Sequence, residues 1–191
     1  VNGDSIWYTR NGDNVTMHVT AKIFNNSSDN INMARAAKDI VSDIKSTYEG
    51  KFEWSDNKTY NLKVDMDLKV ATSMKDVENS DHLFVLADSD SKGARGATSM
   101  LGGKVMTLAS SDFANNNWLS NNLSYNKTFT ATHEFGHAIG LSHSQNPFNI
   151  MKQGGVVHNS NSNQRVIMLQ QQNNLNNNLV VDIYNLGLKW R

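Results

Sequence analysis

The sequence predicts an α/β (α+β) domain built on one mixed, twisted sheet. Three observations lead to this prediction. Segments with the two-residue period of strands are interspersed with segments of helical period, their order is strand, helix, strand, strand, strand, helix, helix, and no linker or internal repeat interrupts the chain. A length of 191 residues suits one domain with a sizeable core. We therefore predict a single domain over residues 1–191.

Four segments are predicted as strands. Residues 15–21 (VTMHVTA) alternate apolar and polar side chains after the turn-rich NGDN, and residues 62–70 alternate with charged residues through LKVDMDLKV. Residues 82–88 (HLFVLAD) have the apolar run of a strand that is buried on both faces. Residues 102–110 (GGKVMTLAS) follow a glycine-rich loop, SKGARG, and complete the predicted sheet.

Three segments are predicted as helices. Over residues 32–48, apolar side chains recur at helical spacing while charged side chains occupy the other face. Residues 128–141 are amphipathic, with Thr128 or Thr130 as the expected N-cap. A C-terminal helix is predicted over about residues 164–185, although its middle, NNLNNN, consists of poor helix formers.

The composition excludes several classes of function. The chain has no cysteine, which excludes disulfides, thiol catalysis and cysteine-ligated zinc. Lys plus Arg and Asp plus Glu both number 18, so no long-range field attracts nucleic acid or an anionic membrane, and neither partner is expected. The longest apolar runs fall far short of the ~20 residues that span a bilayer. Because the start, VNGDS, lacks the pattern of a secretory signal, we expect a mature chain without its signal and pro-segment.

The most informative stretch is HEFGHAIGLSH, which covers residues 133–143. His133 and His137 are four residues apart, so a helix carries both imidazoles on one face, about 40° apart, where they can bind one metal ion. Glu134 is next to the first of these histidines. From there its carboxylate can reach a water on the ion and act as a general base without being a ligand.

A catalytic zinc site needs a third protein ligand and leaves a fourth position open. In one large class of zinc hydrolases the third ligand is a glutamate from a later helix, but no glutamate follows Glu134 in this chain. Gly140 instead allows the chain to leave the helix with a positive φ, and His143 can then return to the ion. Gly136 is expected only to keep one helix face small. The complete pattern HExxHxxGxxH fixes five positions, which favours a metal site over a chance match.

This pattern resembles that of the metzincin zinc endopeptidases, which also have a methionine turn beneath the metal. Met151 lies eight residues after His143, behind the turn-forming Asn146-Pro147, and the resemblance implies that it forms an apolar floor below the imidazoles. The wording HEFGHAIGLSHS and the short gap to Met151 are most similar to the matrixin branch. LASSDF, the insert before the motif helix and the terminal LGLKW are similar in placement to fragilysin-like bacterial members of that branch.

The resemblance implies a metzincin-like catalytic domain, with an antiparallel edge strand, an active-site helix and a C-terminal helix, that hydrolyses peptide bonds of extended protein substrates. One zinc is expected, with three imidazole ligands from His133, His137 and His143. Glu134 would activate the zinc-bound water. Gln153 stands where astacin-like and serralysin-like enzymes have a tyrosine, so no fifth ligand is expected. Histidines for a second, structural zinc are not recognisable around residues 88–104.

The resemblance also implies where a substrate would bind. An extended peptide would lie along a strand at the sheet edge, held by backbone hydrogen bonds. The strand expected in this role consists of Lys104, Val105, Met106, Thr107, Leu108 and Ala109. The wall of the specificity pocket would include residues 154–158. His158 is interpreted as a surface histidine, and His18 and His82 as structural histidines.

Other interpretations stay open. Asp88 and Asp90 can bind calcium as oxygen donors, although such a run is more often a solvated turn. The fold can also serve as a catalytically inert zinc-binding interaction module, which the presence of Glu134 argues against. A zinc hydrolase of non-peptide amides or esters is the other alternative, and the methionine turn and the substrate strand favour peptides over it. We expect a secreted or cell-surface monomer.

Overall fold

The computed structural model describes residues 5–54, 57–88, 96–114, 124–153, 160 and 164–165. The strands are β1 (Ile6–Asn11), β2 (Asn14–Asn26), β3 (Gly50–Glu53), β4 (Thr59–Ala71), β5 (His82–Ala87), β6 (Gly96–Thr98) and β7 (Val105–Ala109). The helices are α1 (Met33–Tyr48) and α2 (Ser124–Ala138), with short 3₁₀ turns at Met74–Asp76 and Ser110–Asp112. Within the described residues, no helix has both the length and the apolar character required to cross a bilayer.

All seven strands form one mixed sheet in the order β3-β4-β2-β5-β7-β6, and β1 pairs with β2 beside this path. The pairs β2–β4, β2–β5 and β5–β7 are parallel, whereas β1, β3 and β6 each run antiparallel to their partner. The predicted fold class, a mixed α+β domain with an antiparallel edge strand, is therefore confirmed.

The main core lies between the sheet and the two helices. Alternate residues of β2, among them Met17 and Ile23, point to this side and contact buried residues of α1 such as Ile40 and Ile44. Phe135 of α2 is buried in the same core. A smaller apolar cluster, formed by Leu83, Val85 and Val105 with partly buried neighbours, lies on the other face of the sheet. This face explains why β5 is apolar from Leu83 to Ala87.

Three strands were not predicted. The segment forming β1 has one fully buried side chain, Ile6, and pairs through the turn at Gly12, where φ is +59°. β3 and β6 contain four and three residues, too few to show a two-residue period. The predicted strands exist, but β2 and β4 extend beyond residues 15–21 and 62–70.

The two described helices begin differently. Asn32 caps α1 through its side-chain oxygen, which accepts a hydrogen bond from the backbone N–H of Arg35 at 3.0 Å. The predicted N-cap of the second helix is wrong, because α2 already begins at Ser124 and both Thr128 and Thr130 lie inside it. The Thr128 hydroxyl instead donates to Asp43 on α1 and ties the two helices together.

The chain leaves α2 through a Schellman motif. The N–H of Leu141 donates to the Gly136 carbonyl at 2.8 Å and the N–H of Gly140 donates to the His137 carbonyl at 3.0 Å. Gly140 has a φ of +91°, as its predicted role in the turn requires. The helix therefore ends at Ala138, earlier than predicted, and the following residues turn back toward it. Of the predicted C-terminal helix, residues 164–165 are helical and the rest lies outside the described residues.

Candidate metal centre

Three imidazoles from α2 and the turn after it lie next to one another. The ring centroids of His133, His137 and His143 are 4.6 to 5.4 Å apart, and Nε2 of His137 lies 3.1 Å from Nε2 of His143. One ligand atom from each ring lies within 4.8 Å of the others. In the described part of the chain this is the one cluster of metal-ligating side chains large enough to hold an ion.

Backbone carbonyls orient two of these rings. Nδ1 of His133 lies 2.7 Å from the Ile150 carbonyl, and Nδ1 of His137 lies 2.7 Å from the Leu141 carbonyl. Because a carbonyl can only accept, each Nδ1 carries the hydrogen and each Nε2 keeps its lone pair. Such carbonyl partners are the usual way in which proteins orient histidine ligands of a metal.

The distance between two of the ring nitrogens fits zinc. Zn–N bonds of about 2.0–2.1 Å in tetrahedral geometry imply a separation of about 3.3 Å between two ligand nitrogens, close to the 3.1 Å between His137 and His143. Burial lowers the pKa of His133 and of His137, so both rings are neutral at neutral pH, as a metal ligand must be. His143 is exposed, and the cluster is open to solvent on its side.

Met151 and Tyr48 pack against the helix that carries the first two histidines. Met151 is completely buried, and its sulfur lies 3.8 Å from the Tyr48 hydroxyl, which donates to the Thr132 carbonyl at 2.9 Å. A Cβ on Gly136 would come within 2.3 Å of the Met151 sulfur and 2.5 Å of the Tyr48 oxygen. Gly136 is therefore required for α2 to approach Met151 and Tyr48, a stronger role than the one predicted for it.

A pair of buried amides holds the turn that carries Met151. The Asn149 side chain donates to Gln164 at 2.8 Å and accepts from the Gln164 amide at 2.9 Å, and its oxygen also accepts from the Met151 N–H at 2.8 Å. With the Ile150 carbonyl 2.7 Å from Nδ1 of His133, this short segment carries Met151 and also orients one of the three histidines.

Glu134 lies beside the cluster with 7% of its surface exposed. Burial raises the pKa of its carboxyl group, and a hydrogen bond from the Thr98 hydroxyl opposes that shift. Thr98 Oγ1 lies 2.7 Å from Oε2 of Glu134 and 3.0 Å from the Glu134 carbonyl. The Glu134 carboxylate is thus buried and is oriented by β6, in the residue next to the first histidine.

The prediction that residues 104–109 form the edge of the sheet is wrong, because they lie between two other strands. Lys104, Val105, Met106, Thr107, Leu108 and Ala109 pair with β5 on one side and lie next to β6 on the other. The edge position belongs to β6, which has a single neighbouring strand in the described sheet. The three residues of β6 escaped prediction because they are too few to show a strand period and the first of them, Gly96, is the last residue of the glycine-rich loop.

The other predicted residues lie away from the cluster or outside the described residues. His18 is on β2, where its ring contacts Thr9 and Asp65 on the polar face of the sheet. His82 is buried on β5. Asp88 accepts a hydrogen bond from Ser28. The predicted pocket wall at 154–158, with His158, and the second calcium candidate, Asp90, are outside the described residues.

Sequence reasoning did not identify Tyr48, Thr98 or Gly96 as parts of the site. Tyr48 contacts the site from α1, and Thr98 from β6. A Cβ on Gly96 would lie 3.0 Å from Cγ of Glu134, so β6 and α2 are in close contact here. These residues are far from the motif in sequence, and no local pattern signals them.

Comparison with known proteins adds one match. A family model described as Matrixin matches residues 7–174, which is most of the chain and includes the histidine cluster. No curated protein sequence matches the chain significantly.

Proposed function

Because the chain belongs to the matrixin family of metallopeptidases, we propose that it is a zinc-dependent endopeptidase that cleaves extended polypeptides. The observation that supports this most strongly is the convergence of three imidazoles, two of them oriented by backbone carbonyls, beside a buried carboxylate. An inert zinc-binding module has no use for that carboxylate.

His133, His137 and His143 would hold the ion. A zinc ion bound by three neutral imidazoles supplies positive charge that acidifies water and polarises a peptide carbonyl. Glu134 is the general base: its carboxylate accepts a proton from the attacking water and then donates it to the leaving nitrogen. Burial raises the pKa of this carboxyl group, which favours its accepting a proton before it donates it.

The substrate would add a strand to the sheet along β6. This strand has one neighbour within the described residues, so its outer backbone groups can pair with an extended peptide. Met100 and Leu101, in the turn after β6, are 43% and 52% exposed. Because the N–H of Gly102 donates to the His137 carbonyl at 2.8 Å, this turn borders the metal centre. The side chains of Met100 and Leu101 would contact apolar side chains of the peptide. Because matrixins are commonly extracellular, we place this activity outside the cell.

The test combines metal content with hydrolysis of casein and of a fluorogenic peptide. We expect Glu134→Ala to keep full zinc occupancy and to lose hydrolysis by several orders of magnitude, because the variant lacks the base but keeps the ligands. His143→Ala should lose both zinc occupancy and hydrolysis. The matched control is Glu53→Ala on β3, at the opposite end of the sheet, which should behave as wild type.

Two results would contradict the proposal. Stoichiometric zinc without cleavage of any peptide by the wild type would favour an inert binding module. Undiminished turnover in Glu134→Ala would remove this carboxylate from the mechanism.

A further inference from the structure

The hydroxyl of Thr98 contacts the Glu134 side chain and also its backbone. Oγ1 lies 2.7 Å from Oε2 and 3.0 Å from the Glu134 carbonyl oxygen. A threonine hydroxyl has one hydrogen, and the shorter distance and the negative charge assign it to the carboxylate. Oε2 of the Glu134 carboxylate therefore accepts the hydroxyl hydrogen, and the backbone of Thr98 also hydrogen-bonds this carboxylate.

Close packing of β6 against α2 makes this contact specific. Thr98 and Gly96 are two residues apart in the strand, so both face α2. A Cβ on Gly96 would lie 2.4 Å from Cγ2 of Thr130 and 3.2 Å from Oε1 of Glu134. Because no side chain separates the strand from the helix at Gly96, the short Thr98 side chain can reach the carboxylate.

From these contacts we propose that Thr98 is a positioning residue that holds the Glu134 carboxylate in the orientation required for proton transfer. The proposal rests on the proposed function, since it assigns Glu134 as the base. It goes beyond that function in connecting the base to β6, the strand along which the peptide would lie, so the strand that binds the substrate also orients the group that acts on it.

Steady-state kinetics of Thr98→Val tests the proposal, because valine has the shape of threonine without the hydroxyl. We expect kcat to fall about ten- to hundredfold, the factor for losing a hydrogen bond to a charged group, with KM within about threefold of wild type. Thr98→Ser keeps the hydroxyl and should recover kcat to within about threefold. Thr16→Val, the same substitution on β2, should leave both constants unchanged.

A second measurement uses the zinc-free protein and needs no activity. The hydrogen bond joins Thr98 to Glu134 without metal, so Thr98→Val should lower the urea midpoint in the wild-type background and have a clearly smaller effect in Glu134→Ala. Equal effects in both backgrounds would overturn the proposal. If Thr98→Val does not fold, Thr98→Ala removes the same hydroxyl without the branched side chain.

The two proposals fail in different ways. If the wild type hydrolyses peptides and Thr98→Val matches it in kcat, the positioning role is wrong and the proposed function stands. A fall in kcat that Thr98→Ser does not reverse would also overturn the positioning role. If the wild type hydrolyses no peptide while the zinc-free cycle shows coupling, the contact exists but the proposed function fails.

Discussion

At the scale of single residues, His82 combines an ionisable ring with complete burial. The ring lies on β5 with its centroid 6.5 Å from that of Phe135, and neither nitrogen has a hydrogen-bond partner among the described residues. Burial, followed by the nearby positive charge of Lys104, lowers the pKa of His82 to about 3. The core therefore accommodates the neutral ring and excludes the charged one.

We predict that this residue destabilises the fold in acid. In the unfolded chain the pKa of a histidine is about 6.5, so between about pH 6.5 and 3 the unfolded state binds a proton that the folded state does not. The contribution of His82 to the stability of the fold is therefore fully present above pH 6.5 and is lost as the pH falls toward 3. Between pH 7 and 5 the contribution of His82 to the free energy of unfolding should fall by about 2 kcal/mol.

The comparison is between wild type and His82→Phe, by urea unfolding with a chelator at pH 7 and pH 5. The chelator keeps both proteins free of metal, so the difference between the proteins isolates His82. His82→Phe should lose less stability than wild type over this range. The same pH dependence in both proteins would show that the buried ring accepts a proton.

At the scale of elements, Arg165 joins the end of α1 to β3. Its guanidinium donates to the carbonyls of Tyr48 and Glu49 at 2.9 Å each and to that of Lys51 at 3.2 Å. The first two carbonyls belong to the C-terminal end of the helix, where a positive charge is favourable. Gly50 makes room for this, because a Cβ there would lie 2.8 Å from Nη2 of Arg165.

Arg165→Ala should lower the free energy of unfolding by about 1–2 kcal/mol, because three carbonyls lose a charged donor and water can replace it only partly. The matched control is Arg35→Ala on the exposed side of α1, where the Asp39 carboxylate lies 3.7 Å away. An exposed pair at this spacing contributes about 0.5 kcal/mol or less. Urea unfolding at neutral pH measures both, and equal losses would contradict the role of Arg165.

At the scale of the whole molecule, the metal centre depends on several elements at once. The three histidines come from α2 and the following turn, Met151 and the α1 residue Tyr48 pack against α2, and Thr98 of β6 contacts Glu134. Groups so far apart in the chain converge only in the folded protein. An ion bound there therefore stabilises the folded state relative to the unfolded one.

Chelation should accordingly lower the stability of the whole protein. Free zinc at a hundred times its dissociation constant adds about 2.7 kcal/mol to the free energy of unfolding. Thermal unfolding with zinc and with a chelator should show this as a clear shift of the midpoint, in one cooperative transition if residues 1–191 form the single domain that we propose. His143→Ala should abolish the shift, and an unchanged shift in that variant would mean that zinc binds elsewhere.

Much of the fold follows from local patterns in the sequence. Long segments with a clear period, such as those forming α1, β2 and β4, were predicted with correct type and approximate bounds. The motif at residues 133–143 predicted its own convergence, because helical spacing and one glycine turn determine it locally. The matrixin assignment followed from the same residues and is confirmed, while the closer similarity to fragilysin-like members stays a prediction.

Only the tertiary structure decided the rest. The edge of the sheet is formed by β6 and not by residues 104–109, and Gly136 lies against Met151 and Tyr48. Thr98 reached Glu134 from another strand. There are two physical reasons. Strands of three or four residues are too short to show a period, and a close contact between residues distant in sequence depends on packing, which no local spacing records.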